Sequence, residues 1–117
     1  MIMDKAEDII QEGEVAVVIF THGIHFEYDA AWNGQTGKWV ISPERLEEVD
    51  KVIVYLRPEG QSENRIFMGN YSGYKKSNLE RRYIILFSGL KEIGTTNSNW
   101  FDFGNRSQTP ICIVSKL

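Results

Sequence analysis

Four short apolar runs constrain this chain more than anything else in it. Residues 15–20 read VAVVIF, 52–56 VIVYL, 83–87 YIILF and 111–114 ICIV. Each is continuous and rich in β-branched or aromatic side chains, which predicts four core strands, with 15–20 buried on both faces and 83–87 another buried strand. All are far below the ~20 residues of a membrane span. Elsewhere the pattern changes. Ile24, Phe26 and Tyr28 alternate with His25 and Glu27, as in a half-buried strand, and Thr21-His22-Gly23 before them supplies a hairpin turn. Asn33-Gly34 and Thr36-Gly37 are turn signals flanked by Trp32 and Trp39. Residues 66–68 resume strand character, which Gly69 and Gly73 break.

Two short helices are predicted beside these strands. Asp4 and Glu7 form a capping box for residues 4–12, where Ala6, Ile9 and Ile10 make an apolar stripe that stops at Gly13. Ser42-Pro43-Glu44 opens a second helix that ends near Val49. Strands do not alternate with long helices, which argues against a doubly wound parallel sheet. The expected fold is α+β and predominantly β: a small curved sheet or open pseudo-barrel with two short peripheral helices. A length of 117 residues and an apolar share of 42% suit a single domain over residues 1–117.

Cys112 is the one cysteine, so no internal disulfide forms, and its place in an apolar run reads as a small core residue. The acidic start MIMDKAEDIIQEGE lacks the basic flank and apolar stretch of a signal peptide, so a cytoplasmic location is expected. On that reading the Asn70-Tyr-Ser72 and Asn105-Arg-Ser107 sequons are chance matches.

The net charge of −3 argues against a general coater of nucleic acid. The charge is uneven, however. Asp4, Glu7, Asp8, Glu12 and Glu14 oppose only Lys5 at the start of the chain, whereas Lys75, Lys76, Arg81 and Arg82 oppose only Glu80 over residues 74–83. A local basic patch can therefore exist on an acidic protein.

Catalytic signals are sparse. His22 and His25 are the only histidines, and three residues of separation on an extended strand puts them on opposite faces. With no HExxH helix and no cysteine pair, no metal site is expected. There is no GxSxG elbow, no GxxxxGKS loop and no GxGxxG, so hydrolase and nucleotide-phosphate motifs are missing. A carboxylate pair such as Asp29 with Asp102 has nothing in the sequence to bring it together. No cofactor is expected.

Aromatics at turn edges carry more information. Trp32, Trp39, Tyr71, Tyr74, Trp100, Phe101 and Phe103 all lie near Gly, Asn or Ser. Such residues either plug the ends of a barrel or form stacking surfaces. Tyr71 and Tyr74 lead straight into Lys75 and Lys76, with Arg81 and Arg82 following. Aromatics stack on bases while cations hold phosphates.

Residues 49–87 resemble PUA-like domains of the EVE, ASCH and YTH type. The resemblance rests on VIVY at 52–55, a polar loop, IFMGNYSG at 66–73 and RYIILF at 82–87. It implies a pseudo-barrel that binds RNA or DNA, with a modified base held in an aromatic pocket; Trp39, Trp100 and Phe101 are the candidates for that pocket. The chain departs from the base-reading branches in its tryptophan spacing and its negative charge.

Three functions follow in order. The first is a small binding module for nucleic acid or a modified nucleobase, with Trp39, Tyr71, Tyr74, Trp100 and Phe101 at the ligand and Lys75, Lys76, Arg81 and Arg82 at phosphates. The second is a protein-interaction domain, an inhibitor or accessory factor, acting through the acidic N-terminal segment. An enzyme of unknown reaction comes third. No membrane partner is expected.

Overall fold

The computed structural model describes residues 10–23, 26–58, 60, 63–96 and 111–115. The strands among them are β1 (Val15–Thr21), β2 (Phe26–Tyr28), β3 (Gly34–Val40), β4 (Lys51–Leu56), β5 (Asn64–Lys76), β6 (Arg82–Thr96) and β7 (Ile111–Ser115). They form one sheet in the order β2-β3-β6-β5-β4-β1-β7. β1 and β4 run parallel, and every other pairing is antiparallel.

Two of the four apolar runs are buried on both faces; the run at 83–87 buries only Ile85 and Phe87 fully, and the run at 111–114 lies in β7 at the sheet edge. β1 and β4 are inside the sheet, flanked on both edges, and both of their faces are covered. Val17, Ile19, Val52 and Val54 point to one face, where they meet Phe67, Ile85, Phe87, Leu90 and Ile111. Ala16, Val18, Phe20, Ile53 and Tyr55 point to the other, with Ile10 and Ile66. Each Val, Ile, Leu or Phe side chain among them, fully buried, contributes about 1.5–3 kcal/mol. The parallel pair is locked at its start by reciprocal bonds: the Val15 amide donates to Asp50 Oδ2 at 3.1 Å, and the Asp50 amide donates to the Val15 carbonyl at 2.8 Å.

The sheet curls toward the first face, which we call inner. Phe26 on edge strand β2 lies 5.8 Å from Phe67 of β5 and 5.9 Å from Phe87 of β6, ring centre to ring centre. Two strands separate β2 from β5 in the sheet order, so only a strongly bent sheet brings these rings together. Ile41, Leu46 and Val49, from the connection between β3 and β4, pack into the same core. On the surface, Arg65 grips Glu92 with two bonds, Nε to Oε2 at 2.9 Å and Nη2 to Oε1 at 3.1 Å. This partner holds the Glu92 carboxyl below the usual carboxylate range.

The structure corrects the two-helix expectation. The segment after Ser42 is a 3-10 turn of four residues, Pro43–Leu46, and Ser42 makes no side-chain cap. Its backbone bonds run from residue i+3 to residue i, at Arg45 to Ser42, Glu47 to Glu44 and Val49 to Leu46. The Asp50 amide is then taken by β1, so the chain turns into the sheet before a helix can propagate. Of the helix expected over residues 4–12, residues 1–9 lie outside the described residues, and Ile10–Gly13 is a bend and turn. Nor does Thr21-His22-Gly23 close a hairpin, because β2 pairs with β3 and β1 pairs with β4 and β7. Gly69 and Gly73 do not end the strand they interrupt; β5 runs through both for 13 residues.

Candidate functional site

The tyrosines and cations singled out from the sequence lie on the β5–β6 hairpin, and a bulge decides how they face. Tyr71 sits opposite Phe87, Gly73 opposite Leu86 and Tyr74 opposite Ile85. Phe87 and Ile85 both belong to the inner core, so Tyr71 and Tyr74 share the inner face. A regular strand would put residues i and i+3 on opposite faces; the extra residue at the bulge restores them to one. Gly73 makes this backbone path with φ of 120°. A Cβ there would meet nothing within 4 Å, so the need for glycine is conformational.

β3 carries a matching irregularity on the other flank of β6. Its register shifts between Thr36 and Trp39, which leaves Thr36 opposite Ile85 and Trp39 opposite Tyr83. Trp39 is half-buried against the inner core and its Nε1 donates to Thr36 Oγ1 at 3.3 Å.

A cleft of about 500 Å³ separates the 3-10 turn from this part of β5. Pro43, Glu44, Leu46 and Glu47 line one side, and Tyr71, Gly73 and Tyr74 the other. Leu46 is buried and gives an apolar floor, whereas Glu44 and Glu47 are exposed. Tyr74 is 44% exposed and meets the edge of Tyr83 at 5.7 Å. Tyr71 is half-buried, and its amide donates to the Asp50 carbonyl at 3.0 Å. Burial, aided by Tyr74, raises the Tyr71 phenol above its ordinary value, so it remains a protonated donor at neutral pH. Ring faces, an apolar floor, a phenol donor and carboxylate acceptors together suit a planar heterocycle with N–H groups on its edge.

The cations extend from the cleft to the hairpin tip. Lys75, Lys76, Arg81 and Arg82 are all exposed. Lys76 pairs with Tyr83 and so shares the inner face with the tyrosines; Lys75 pairs with Ile84, and Val40 of β3 with Arg82, on the outer face. Ser77 organises the tip. Its Oγ lies 2.8 Å from the Arg82 carbonyl and accepts the Leu79 amide at 3.1 Å, while its amide donates to the Arg82 carbonyl at 3.1 Å. From β3, Lys38 Nζ donates to Asn78 Oδ1 at 2.6 Å, and Arg82 Nη1 donates to the Lys38 carbonyl at 3.2 Å.

Sequence reasoning missed a second aromatic pair. Tyr28 and Trp32 stack at 4.7 Å with planes 12° apart, and both are substantially exposed. Asp29 Oδ1 accepts the Ala31 and Asn33 amides at 2.8 and 3.1 Å, while Trp32 has φ of 63°. The Leu90 amide donates to the Trp32 carbonyl at 2.9 Å, tying the loop to β6. The signal was present in Asp29 ahead of Asn33-Gly34, an Asx turn that brings Trp32 back over Tyr28. This pair lies at the far end of β3 from the basic hairpin, beside the acids Glu27 and Asp29.

Other sequence candidates are not brought together with the cleft. Trp39 does not line it, and Trp100, Phe101 and Phe103 lie outside the described residues. So do His25, Glu7, Asp8 and Asp102. His22 is exposed, with Nδ1 2.7 Å from the Arg57 carbonyl. Glu14 accepts the Gln11 amide and lies 3.9 Å from Lys51 Nζ. Cys112 sits in β7 opposite Val18, its side chain outside the described residues. Among the described residues no group of three His, Cys, Asp or Glu could hold a metal ion, and no helix is long and apolar enough to cross a membrane. No protein-family model, curated protein or solved structure matches the chain.

Proposed function

We propose that this chain is a nucleic-acid-binding module in which the Tyr71–Tyr74 cleft receives a base and the β5–β6 hairpin holds phosphates. The observation that carries the reading is the bulge at Gly73. It keeps both tyrosines on one face of the cleft, immediately ahead of four exposed cations. Stacking on such rings is worth about 1–3 kcal/mol per base and tolerates any sequence. Glu44 and Glu47 repel phosphate, so the backbone belongs on the hairpin and only a base edge with N–H donors belongs in the cleft. The resemblance of residues 49–87 to PUA-like domains points to the same ligand class and adds a modified base as a specific occupant.

The test is a fluorescence-anisotropy titration with labelled single- and double-stranded oligonucleotides, modified bases included, at low and moderate salt. Lys75→Ala or Arg82→Ala should weaken binding equally for all sequences and flatten the salt slope by about 0.7–0.9 per lost contact. Tyr74→Ala should cost about 1–3 kcal/mol with the slope unchanged. Flat titrations with every oligonucleotide would refute the reading and leave the acidic N-terminal segment as the site to pursue.

A further inference from the structure

The large hydrophobic side chains exposed among the described residues are not scattered. Tyr28 and Trp32 form the stacked pair, while Val40, Tyr74 and Leu79 gather at the end of the molecule that carries the cations. Leu79 stands at the tip of the β5–β6 hairpin, 48% exposed, between Lys75 and Lys76 at the end of β5 and Arg81 and Arg82 where the turn enters β6. A single exposed leucine needs no explanation; one fixed at the tip of a braced cationic hairpin does.

Reach and shape are both defined. β4 stops pairing with β5 at the Lys51–Asn70 pair, so residues 71–76 run about 20 Å beyond it. β3 flanks the return strand back to its first residue, Arg82, and its Lys38 bonds Asn78, so only the turn of residues 77–81 projects beyond the paired strands. Ser77 and the Lys38–Asn78 bond hold the tip in one conformation. The result is a blade of three strands, β3, β6 and β5, that ends in this turn and carries cations on both faces. Lys76 is on the inner face with Tyr74 and Tyr83, and Lys75 and Arg82 are on the outer face. No single phosphate backbone running along one face can meet all of them.

We propose that the hairpin is a duplex wedge: Leu79 enters the base stack of double-stranded nucleic acid, and the cations on each face of the blade meet one of the two backbones. The inference rests on the nucleic-acid reading above and deepens it by naming the ligand form. Apolar side chains are the wedges that unstack base steps, at a cost of about a few kcal/mol per step, and that cost is recovered from phosphate contacts. Glu80 is the one carboxylate of the tip, and the four cations outnumber it. A base released on the inner side would find Tyr74 and the cleft beside it.

The experiment uses short DNA and RNA duplexes carrying one 2-aminopurine, whose fluorescence is quenched while it is stacked. Binding of the wild-type chain should raise the emission several-fold. Leu79→Ala should abolish the rise yet keep the salt slope, and Leu79→Met should restore it. An unchanged urea midpoint shows that each variant is folded. Salt-dependent binding without a fluorescence rise, a rise that survives Leu79→Ala, or binding to single strands alone would each overturn the wedge while leaving the nucleic-acid reading intact. Absence of binding to any oligonucleotide would overturn both. Sedimentation with phosphatidylserine vesicles is the remaining arm: Leu79-dependent capture there, with no duplex signal, would make the tip a membrane contact and overturn the wedge.

Discussion

Replacing Gly73 with alanine separates conformational need from packing, because the two make different demands at this position. No atom lies within 4 Å of the place a Cβ would take, so the substitution creates no clash. The cost comes from φ of 120°, a region that L-residues other than glycine occupy at about 1–3 kcal/mol. The chain has two ways to respond. It can hold the bulge and bear the strain. Alternatively it can flatten the bulge, which turns Tyr74 and Lys76 to the outer face and breaks the edge contact of Tyr74 with Tyr83, worth about 0.5–1.5 kcal/mol. Both responses lower stability, so urea unfolding should show a loss of about 1–3 kcal/mol with an unchanged m-value. That is a sizeable part of the ~5–15 kcal/mol typical of such a domain. A nuclear Overhauser contact between the Tyr74 and Tyr83 rings tells the responses apart, since only the strained bulge preserves it. A loss below about 0.5 kcal/mol, no more than an ordinary surface substitution, would refute the argument.

Two further outcomes follow from the fold. Ile85→Ala should cost about 2–4 kcal/mol in the same assay, because Ile85 is fully buried in the inner core between Thr36 and Tyr74; a loss near zero would place the core elsewhere. Glu92→Gln should cost about 0.2–1 kcal/mol at neutral pH and low salt, the range for an exposed ion pair. The folded-state pKa of Glu92 is depressed, so its contribution is present above the unfolded value near 4.3 and is lost as pH falls through the folded value. Wild type and variant should therefore draw together as pH falls below the unfolded value and converge once it passes below the depressed folded value, and a gap that widens in acid would reverse the assignment.

The cores of β1 and β4 were legible because a continuous apolar run is most stable when both faces are covered, although the equally apolar run of β7 ends at the sheet edge. Strand lengths were not. Local chemistry reads Gly69 and Gly73 as breaks, while the pairing partner β6 carries β5 across both. The second helix failed for a similar reason. Ser42-Pro43-Glu44 is a fair helix start, but β1 takes the Asp50 amide, and no local pattern shows that bond. The site divides in the same way. Two tyrosines and four cations were visible as composition, whereas the sharing of a face by Tyr71 and Tyr74 depends on register, which only the folded sheet fixes.

The parallel pairing of β1 with β4 also orders events in time. The strands of the β2–β3 and β5–β6 hairpins are joined by short loops and can pair early. β1 must wait: its two neighbours are β4, reached after β2 and β3, and β7, the last strand in chain order. Pairings so distant along the chain are slow, with milliseconds to seconds the usual scale for such topologies. Until they form, β1 presents two bare edges of Val17, Val18, Ile19 and Phe20, the kind of segment most ready to pair with another copy of itself. Refolding yield should then fall with rising protein concentration, and light scattering during refolding reads this directly.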